Sequence, residues 1–171
     1  MKKGLIICLL VISSLGVGVL GTNIYYNNLP KTQVEQQTAD KEIEKEKELS
    51  KFKQFYQVLT RWMLNADSTV FYNILKDKYS VSRCIIYGYA ELGQILEKEL
   101  LKSSIQIDGI IDKKRSGLSN SGIVINRPED FKEYGVPVIV TATYYYEDIK
   151  KELQGLGHKY IYSLFEIVSN L

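Results

Sequence analysis

Residues 84–93, Cys-Ile-Ile-Tyr-Gly-Tyr-Ala-Glu-Leu-Gly, constrain the fold of this chain more than any other stretch. Four apolar residues stop abruptly at Gly88. From Glu91 the pattern becomes periodic, with Leu92, Ile95, Leu96 and Leu100 on one helical face. A continuous apolar run is the mark of a strand buried on both faces, and one that turns at once into an amphipathic helix opens a β-α-β unit. Residues 105–111 supply the second strand, which ends at Asp112. Residues 83–112 are therefore expected to form the first β-α-β unit of a parallel sheet.

The alternation continues to the end of the chain. Residues 113–121 are polar and contain Gly117 and Asn120, so they read as a loop. A short strand is expected at 122–125 and a helical turn at 127–130, opened by Pro128 at a compatible first position. A β-branched strand follows at 136–141, then a helix at 147–156 stopped by Gly157, a strand at 160–163 and a short helix at 164–168. This predicts an α/β domain over residues 81–171, a small Rossmann-like parallel sheet with flanking helices.

The turn itself has the context of a phosphate-binding loop. Gly88 permits a sharp turn, Gly93 lets the helix approach the sheet, and the free N–H groups at the helix start favour an anion. Asp112 stands 19 residues after Gly93, where an acidic residue bonds a ribose hydroxyl in such folds. The expected cofactor-binding set is Gly88, Tyr89, Ala90, Glu91, Leu92, Gly93 and Asp112, with Thr141 and Thr143 at the end of a later strand. Two residues pull against ordinary dinucleotide binding. Ala90 stands where a second glycine would let a pyrophosphate approach, and Glu91 puts a carboxylate near the phosphate position, where it suits a helix N-terminus without any ligand. The turn is thus stronger evidence for a fold than for a ligand.

Little else carries chemistry, and no catalytic residue is assigned. Tyr146 and Lys150 match a Tyr-x-x-x-Lys pair, but 13 tyrosines and many lysines make one chance match expected, and too little chain follows it. Tyr144, Tyr145 and Tyr146 are expected to line the carboxyl edge of the sheet instead. The single histidine, His158, falls at a helix-to-strand turn and reads as a surface residue. No cysteine–histidine cluster has metal-ligand spacing, and Cys8 and Cys84 sit in settings too different to form a bridge. A net charge of +2 gives no basis for nucleic-acid binding.

The first 80 residues are organised differently. Residues 4–20 are apolar or small throughout, and extension to residue 26 brings Tyr25 and Tyr26 to the interface of a single membrane-spanning anchor. A cleaved signal peptide is the rival reading. Residues 27–50 are a charged helical stalk, with Glu42/Lys45, Glu44/Lys47 and Glu48/Lys51 at i,i+3. Residues 51–80 are expected to be amphipathic helices on or before the domain. Leu49, Phe52, Tyr56, Leu59 and Met63 form an apolar stripe at a/d spacing that either packs on its own domain or pairs two chains in a short coiled coil. After a break at 66–68, residues 69–79 are expected to bury Val70, Phe71, Ile74 and Leu75. Lys2 and Lys3 favour export of the domain, whereas a nucleotide-type fold favours the cytoplasmic side, which is the expectation taken.

Arg61-Trp62, IIYGYAELG at 85–93, IDGIIDKK at 107–114, VPVIVTATYYYEDIKKEL at 136–153 and IYSLFEIV at 161–168 together resemble a bacterial family. Its members are small Rossmann-like, nucleoside-diphosphate-sugar epimerase-like domains found beside glycosyltransferases of surface-polysaccharide synthesis, or alone behind a membrane helix. The resemblance covers residues 60–171. It implies a nucleotide-binding-type fold and a cell-envelope setting, with NAD(P) or a nucleotide-sugar as ligand and a glycosyltransferase as partner. It implies no catalytic activity, since the substrate half of an epimerase is missing. Three functions stay open: a membrane-tethered, non-catalytic nucleotide or nucleotide-sugar binding module, an NAD(P)-dependent epimerase or oxidoreductase, and a structural protein pairing through residues 49–63.

Overall fold

The structure is a computed structural model that describes residues 31–65 and 68–171. They belong to two units, residues 1–48 and 49–171. The anchor expected at 4–26 lies outside the described residues, and among the described residues no helix is long and apolar enough to cross a membrane. In the first unit, residues 38–48 are helical and wholly exposed. They lie on helix α1 (Lys31–Leu64), so the expected stalk and amphipathic helix are one helix. This follows from composition, because the first half holds helix formers and charge pairs with almost nothing to bury.

The second unit is a mixed α/β domain with a six-stranded, mostly parallel sheet and flanking helices. After α1 comes α2 (Ser68–Asn73), continued by a π-helical turn over Ile74–Lys78. The sheet elements are β1 (Arg83–Tyr87), β2 (Gln106–Ile111), β3 (Gly117–Leu118), β4 (Val124–Asn126), β5 (Val138–Val140) and β6 (Ile161–Ser163). Helices α3 (Glu91–Leu100), α4 (Tyr146–Leu156) and α5 (Leu164–Val168) complete it.

The strands lie in the order β3-β4-β2-β1-β5-β6. The five parallel strands therefore run third-second-first-fourth-fifth, the doubly wound order. One expectation needs correction here and a second is narrowed. The stretch 113–121 is not only loop, because β3 forms within it and pairs antiparallel with β4. The helical turn expected from 127–130 is a single hydrogen-bonded turn, with Asp130 N–H donating to Arg127 O at 3.2 Å, and it does not continue as a helix. No helix forms in the connections on either side of β4, and Phe131 covers that part of the sheet. It does so at Gly109, where a Cβ would lie 2.3 Å from the Phe131 ring.

The two cores lie on the two sheet faces. On one, Ile86, Ile110 and Ile139 meet Leu92, Leu96 and Leu100 of α3, Phe71 of α2, Leu75 of the π-helical turn, and Leu164 and Ile167 of α5. On the other, Ile85, Val138, Val140 and Ile161 meet Tyr146, Ile149 and Leu153 of α4. Alternation along β1 feeds both, which is why its sequence is continuously apolar. Each such Leu or Ile contributes roughly 1.5–3 kcal/mol by leaving water.

Helix α1 joins the first core through Val58, with Phe55, Leu59 and Trp62 packed against it. The stripe at a/d spacing faces elsewhere: Leu49, Phe52, Tyr56 and Met63 are 60–75% exposed. Of the five stripe residues Leu59 packs on the domain and the other four do not, so the reading in which the whole stripe packs there is corrected. Val58 lies about 180° from Leu49 around a helix, and it is this face that the domain takes. Val70 and Ile95, expected in the core, are also exposed, while Glu97 is buried in Ile95's stead. His158, expected at the surface, is 2% exposed.

Candidate functional site

The sheet order reverses between β1 and β5, the place where ligands of open α/β sheets bind outside the carboxyl ends of the strands. The glycine turn leaves β1 there. Gly88 has φ +91°, a left-handed conformation that a side chain strains. Gly93 lies directly under the turn, and a Cβ on it would sit 2.1 Å from the Gly88 carbonyl oxygen. Gly93 is required by contact between the turn and its own helix, and Gly88 by its left-handed backbone and by Thr141, whose hydroxyl oxygen a Cβ would meet at 2.8 Å. Thr141, just past β5, closes the switch point. Its hydroxyl donates to Gly88 O at 2.7 Å and its N–H to Tyr87 O at 2.9 Å.

Asp112 is the organising acid of the site. The Tyr89 N–H donates to Oδ2 at 2.7 Å, and the Lys114 and Arg115 N–H groups donate to Oδ1 at 2.7 and 2.8 Å. Burial alone would raise the Asp112 pKa, but these three donors and the Arg115 charge outweigh it and hold the carboxyl below its ordinary range. Asp112 thus ties the end of β2 to the turn after β1. Among the remaining expected residues, Ala90 and Glu91 are exposed at the N-terminus of α3, Thr143 is half-buried, and Leu92 sits in the core, leaving only its N–H to the turn.

Sequence reasoning missed the polar latch beside this turn. Tyr89 is buried along α3, and its hydroxyl donates to the Glu97 carboxylate while accepting the Asn120 N–H at 2.8 Å. Ser121 donates to the other Glu97 oxygen at 2.5 Å. Burial raises the Glu97 pKa, yet the Ser119, Ser121 and Tyr89 hydroxyls more than offset it and keep the carboxyl below its usual range. The latch fixes the β3–β4 hairpin to the turn. A shallow depression of about 560 Å³ flanks it, lined by Glu91, Ile95, Lys98, Asn120 and Ser121 among others. It shares Glu91 with the turn but lies on the outer flank of α3, not at the switch point.

Three tyrosines behave differently at the carboxyl edge. Tyr144 and Tyr145 stack edge to face, with Lys51 of α1 over both rings at 5.7 and 5.2 Å. Lys51 is a cation delivered by α1 to this edge, which spacing along the chain did not reveal. Tyr146 points inward instead, donating to Ile161 O at 3.0 Å, and burial pushes its phenol up to about 12. The Tyr146/Lys150 pair is therefore committed to the core, with Lys150 over the Tyr146 ring. Tyr87, the last residue of β1, is buried with no partner for its hydroxyl. Burial, then Glu152, Asp112 and Glu129, raise its pKa. Cys84 is fully buried and its thiol is pushed up to about 12, so it is an unreactive core residue. Among the described residues no group of three or more metal-ligating side chains comes together.

Residues 80–161 match the model of the family C2185-like, N-terminal. The match spans the glycine turn, Asp112, Thr141 and α4, and ends as β6 begins. No curated protein matches the chain, and neither does any solved structure.

Proposed function

We propose that residues 81–171 are a Rossmann-type module that binds a nucleotide or nucleotide-sugar without converting it. The observation that carries this reading is the coincidence of three features at one place. The strand order reverses between β1 and β5, the glycine turn leaves β1 at that point, and the N-terminus of α3 opens there with Ala90 and Glu91 exposed. The ligand's phosphate lies at the α3 N-terminus. Asp112 follows β2 and Asn126 ends β4, where a ribose lies in such folds, and Thr141 and Thr143 form the opposite lip. The apolar segment 4–26 and the likeness to surface-polysaccharide domains extend the reading: the module is tethered at the cytoplasmic face of the cell membrane and serves polysaccharide assembly beside a glycosyltransferase.

Asp112 acts mainly through the turn. Both its oxygens already accept backbone N–H groups, so a ribose hydroxyl shares an oxygen that is in use. Modest affinity follows. The epimerase or oxidoreductase reading is weaker because the Tyr146 hydroxyl that it needs is spent on Ile161 O.

Isothermal titration of the full chain with NAD(H), NADP(H) and UDP-sugars tests the proposal. The expected result is saturable heat with one of these classes, abolished in Asp112→Ala. The absence of heat with every one of them at millimolar ligand overturns it.

A further inference from the structure

The apolar stripe of α1 is the largest feature that neither core nor site uses. Leu49, Phe52, Tyr56 and Met63 are 66, 65, 60 and 75% exposed. They fall within a narrow arc of the helix, opposite Val58, which fixes α1 to its own domain. The two faces of one helix are thus both apolar, and only one is covered.

We propose that this stripe is a parallel, in-register pairing surface for a second copy of the chain. The spacing assigns Leu49, Tyr56 and Met63 to a positions and Phe52 to a d position, while the next d residue, Leu59, packs against the chain's own core and borders the seam. The charges at the flanking positions choose the occupant and its direction. With this register Glu48 is a g residue and Lys53 the following e residue. In a parallel pair, g of one helix meets the next e of its mate, so Glu48 meets Lys53 of the second copy, twice by symmetry. In an antiparallel pair e meets e and g meets g, and this complementarity is lost. Towards the N-terminus the seam ends at Leu49, because Glu42 and Lys45 take the preceding a and d positions and face their own kind.

Two heptads are too few for an isolated coiled coil, which needs about three or four. Here the cost of forming the helix is met by the fold, since Val58, Phe55 and Trp62 already hold it in place. Pairing therefore joins two preformed surfaces. It does not depend on a nucleotide.

Disulfide trapping in the full chain with Cys8→Ser tests register and direction together. Phe52→Cys is expected to give a covalent dimer on mild oxidation, whereas Ser50→Cys, on the neighbouring exposed side, gives little. In parallel, mass by light scattering is expected to fall from dimer to monomer in Phe52→Glu/Tyr56→Glu with circular dichroism unchanged. A monomeric parent chain overturns the proposal, as does equal trapping at 50 and 52. Cross-linking of Leu49→Cys to Met63→Cys in preference to 52 with 52 overturns the parallel register. A dimer that survives the double Glu variant overturns the role of the stripe.

Discussion

Two buried ionisable residues, one on α3 near the glycine turn and one before β6, have solved the same problem differently. Glu97, beside the glycine turn, is 1% exposed and accepts hydrogen bonds from Tyr89 and Ser121. His158, at the amino edge before β6, is 2% exposed, and neither ring nitrogen has a partner. It rests edge-on against Tyr134, with ring centroids 5.2 Å apart. A buried charge persists only where hydrogen bonds replace water, so Glu97 is held ionised and His158 is held neutral. The glycine turn is fixed by a satisfied polar network, although Tyr87 before it keeps an unpaired hydroxyl. The amino edge is filled as though it were apolar.

The glycines divide along the same line. Gly93→Ala drives a Cβ into the Gly88 carbonyl at 2.1 Å, a backbone contact that cannot yield cheaply. The expected loss is about 3 kcal/mol or more, read as failure to fold or a collapse of the urea midpoint. Gly157→Ala at the amino edge has φ +105° but room, with Tyr134 at 3.6 Å. Its expected cost is only about 1–2 kcal/mol from the left-handed backbone. Equal effects would break the contrast between the two places.

Glu97→Gln comes next. It replaces an acceptor of two hydroxyl donors with an amide that turns a donor towards one of them. The expected loss is roughly 1–3 kcal/mol in chemical denaturation, with faster amide exchange at Asn120. An unchanged exchange rate at Asn120 would mean that the latch does not hold the hairpin.

The smallest effect is at His158, and it depends on pH. Its folded pKa lies below the ordinary 6.5 because of burial, so the unfolded chain binds the proton more readily. Stability from this residue is complete above about pH 6.5 and is lost as pH falls through the folded value. The Glu97 carboxyl, also lowered, gives up its contribution only at more acid pH, below about 4.3. His158→Phe is expected to change stability at pH 7 by no more than about 1 kcal/mol and to remove the first of these two declines while leaving the second. A decline that sets in below about pH 6.5, ahead of the carboxylate range, and survives in His158→Phe would contradict this assignment.

The same difference explains what the sequence disclosed. Periodicity reports burial along one element, so the strand–turn–helix at 84–102, the alternation of later strands and helices, and the roles of Gly88 and Gly93 at the turn were legible. Asp112 was expected to meet a ribose, and what spacing could not say is that it first meets three N–H groups of its own chain. Tyr89, Glu97 and Ser121 come from three elements, and no local pattern couples them. Ile95 and Val70 were misassigned because the apolar face of a short helix is read too broadly when its neighbour is unknown. His158 was misjudged because its burial comes from Tyr134, 24 positions earlier, across the sheet edge. Four residues of the α1 stripe face away from the domain, because the domain takes a second, less regular face around Val58 that includes Leu59.

The most direct test of nucleotide binding at the turn is to follow backbone amide shifts of the full, isotope-labelled chain during titration with NAD(H) or a UDP-sugar. Shifts that saturate and centre on Gly88, Ala90, Glu91 and Thr143 are the predicted result. Absence of shifts there, or shifts centred instead on the outer flank of α3 at Ile95 and Lys98, would contradict it.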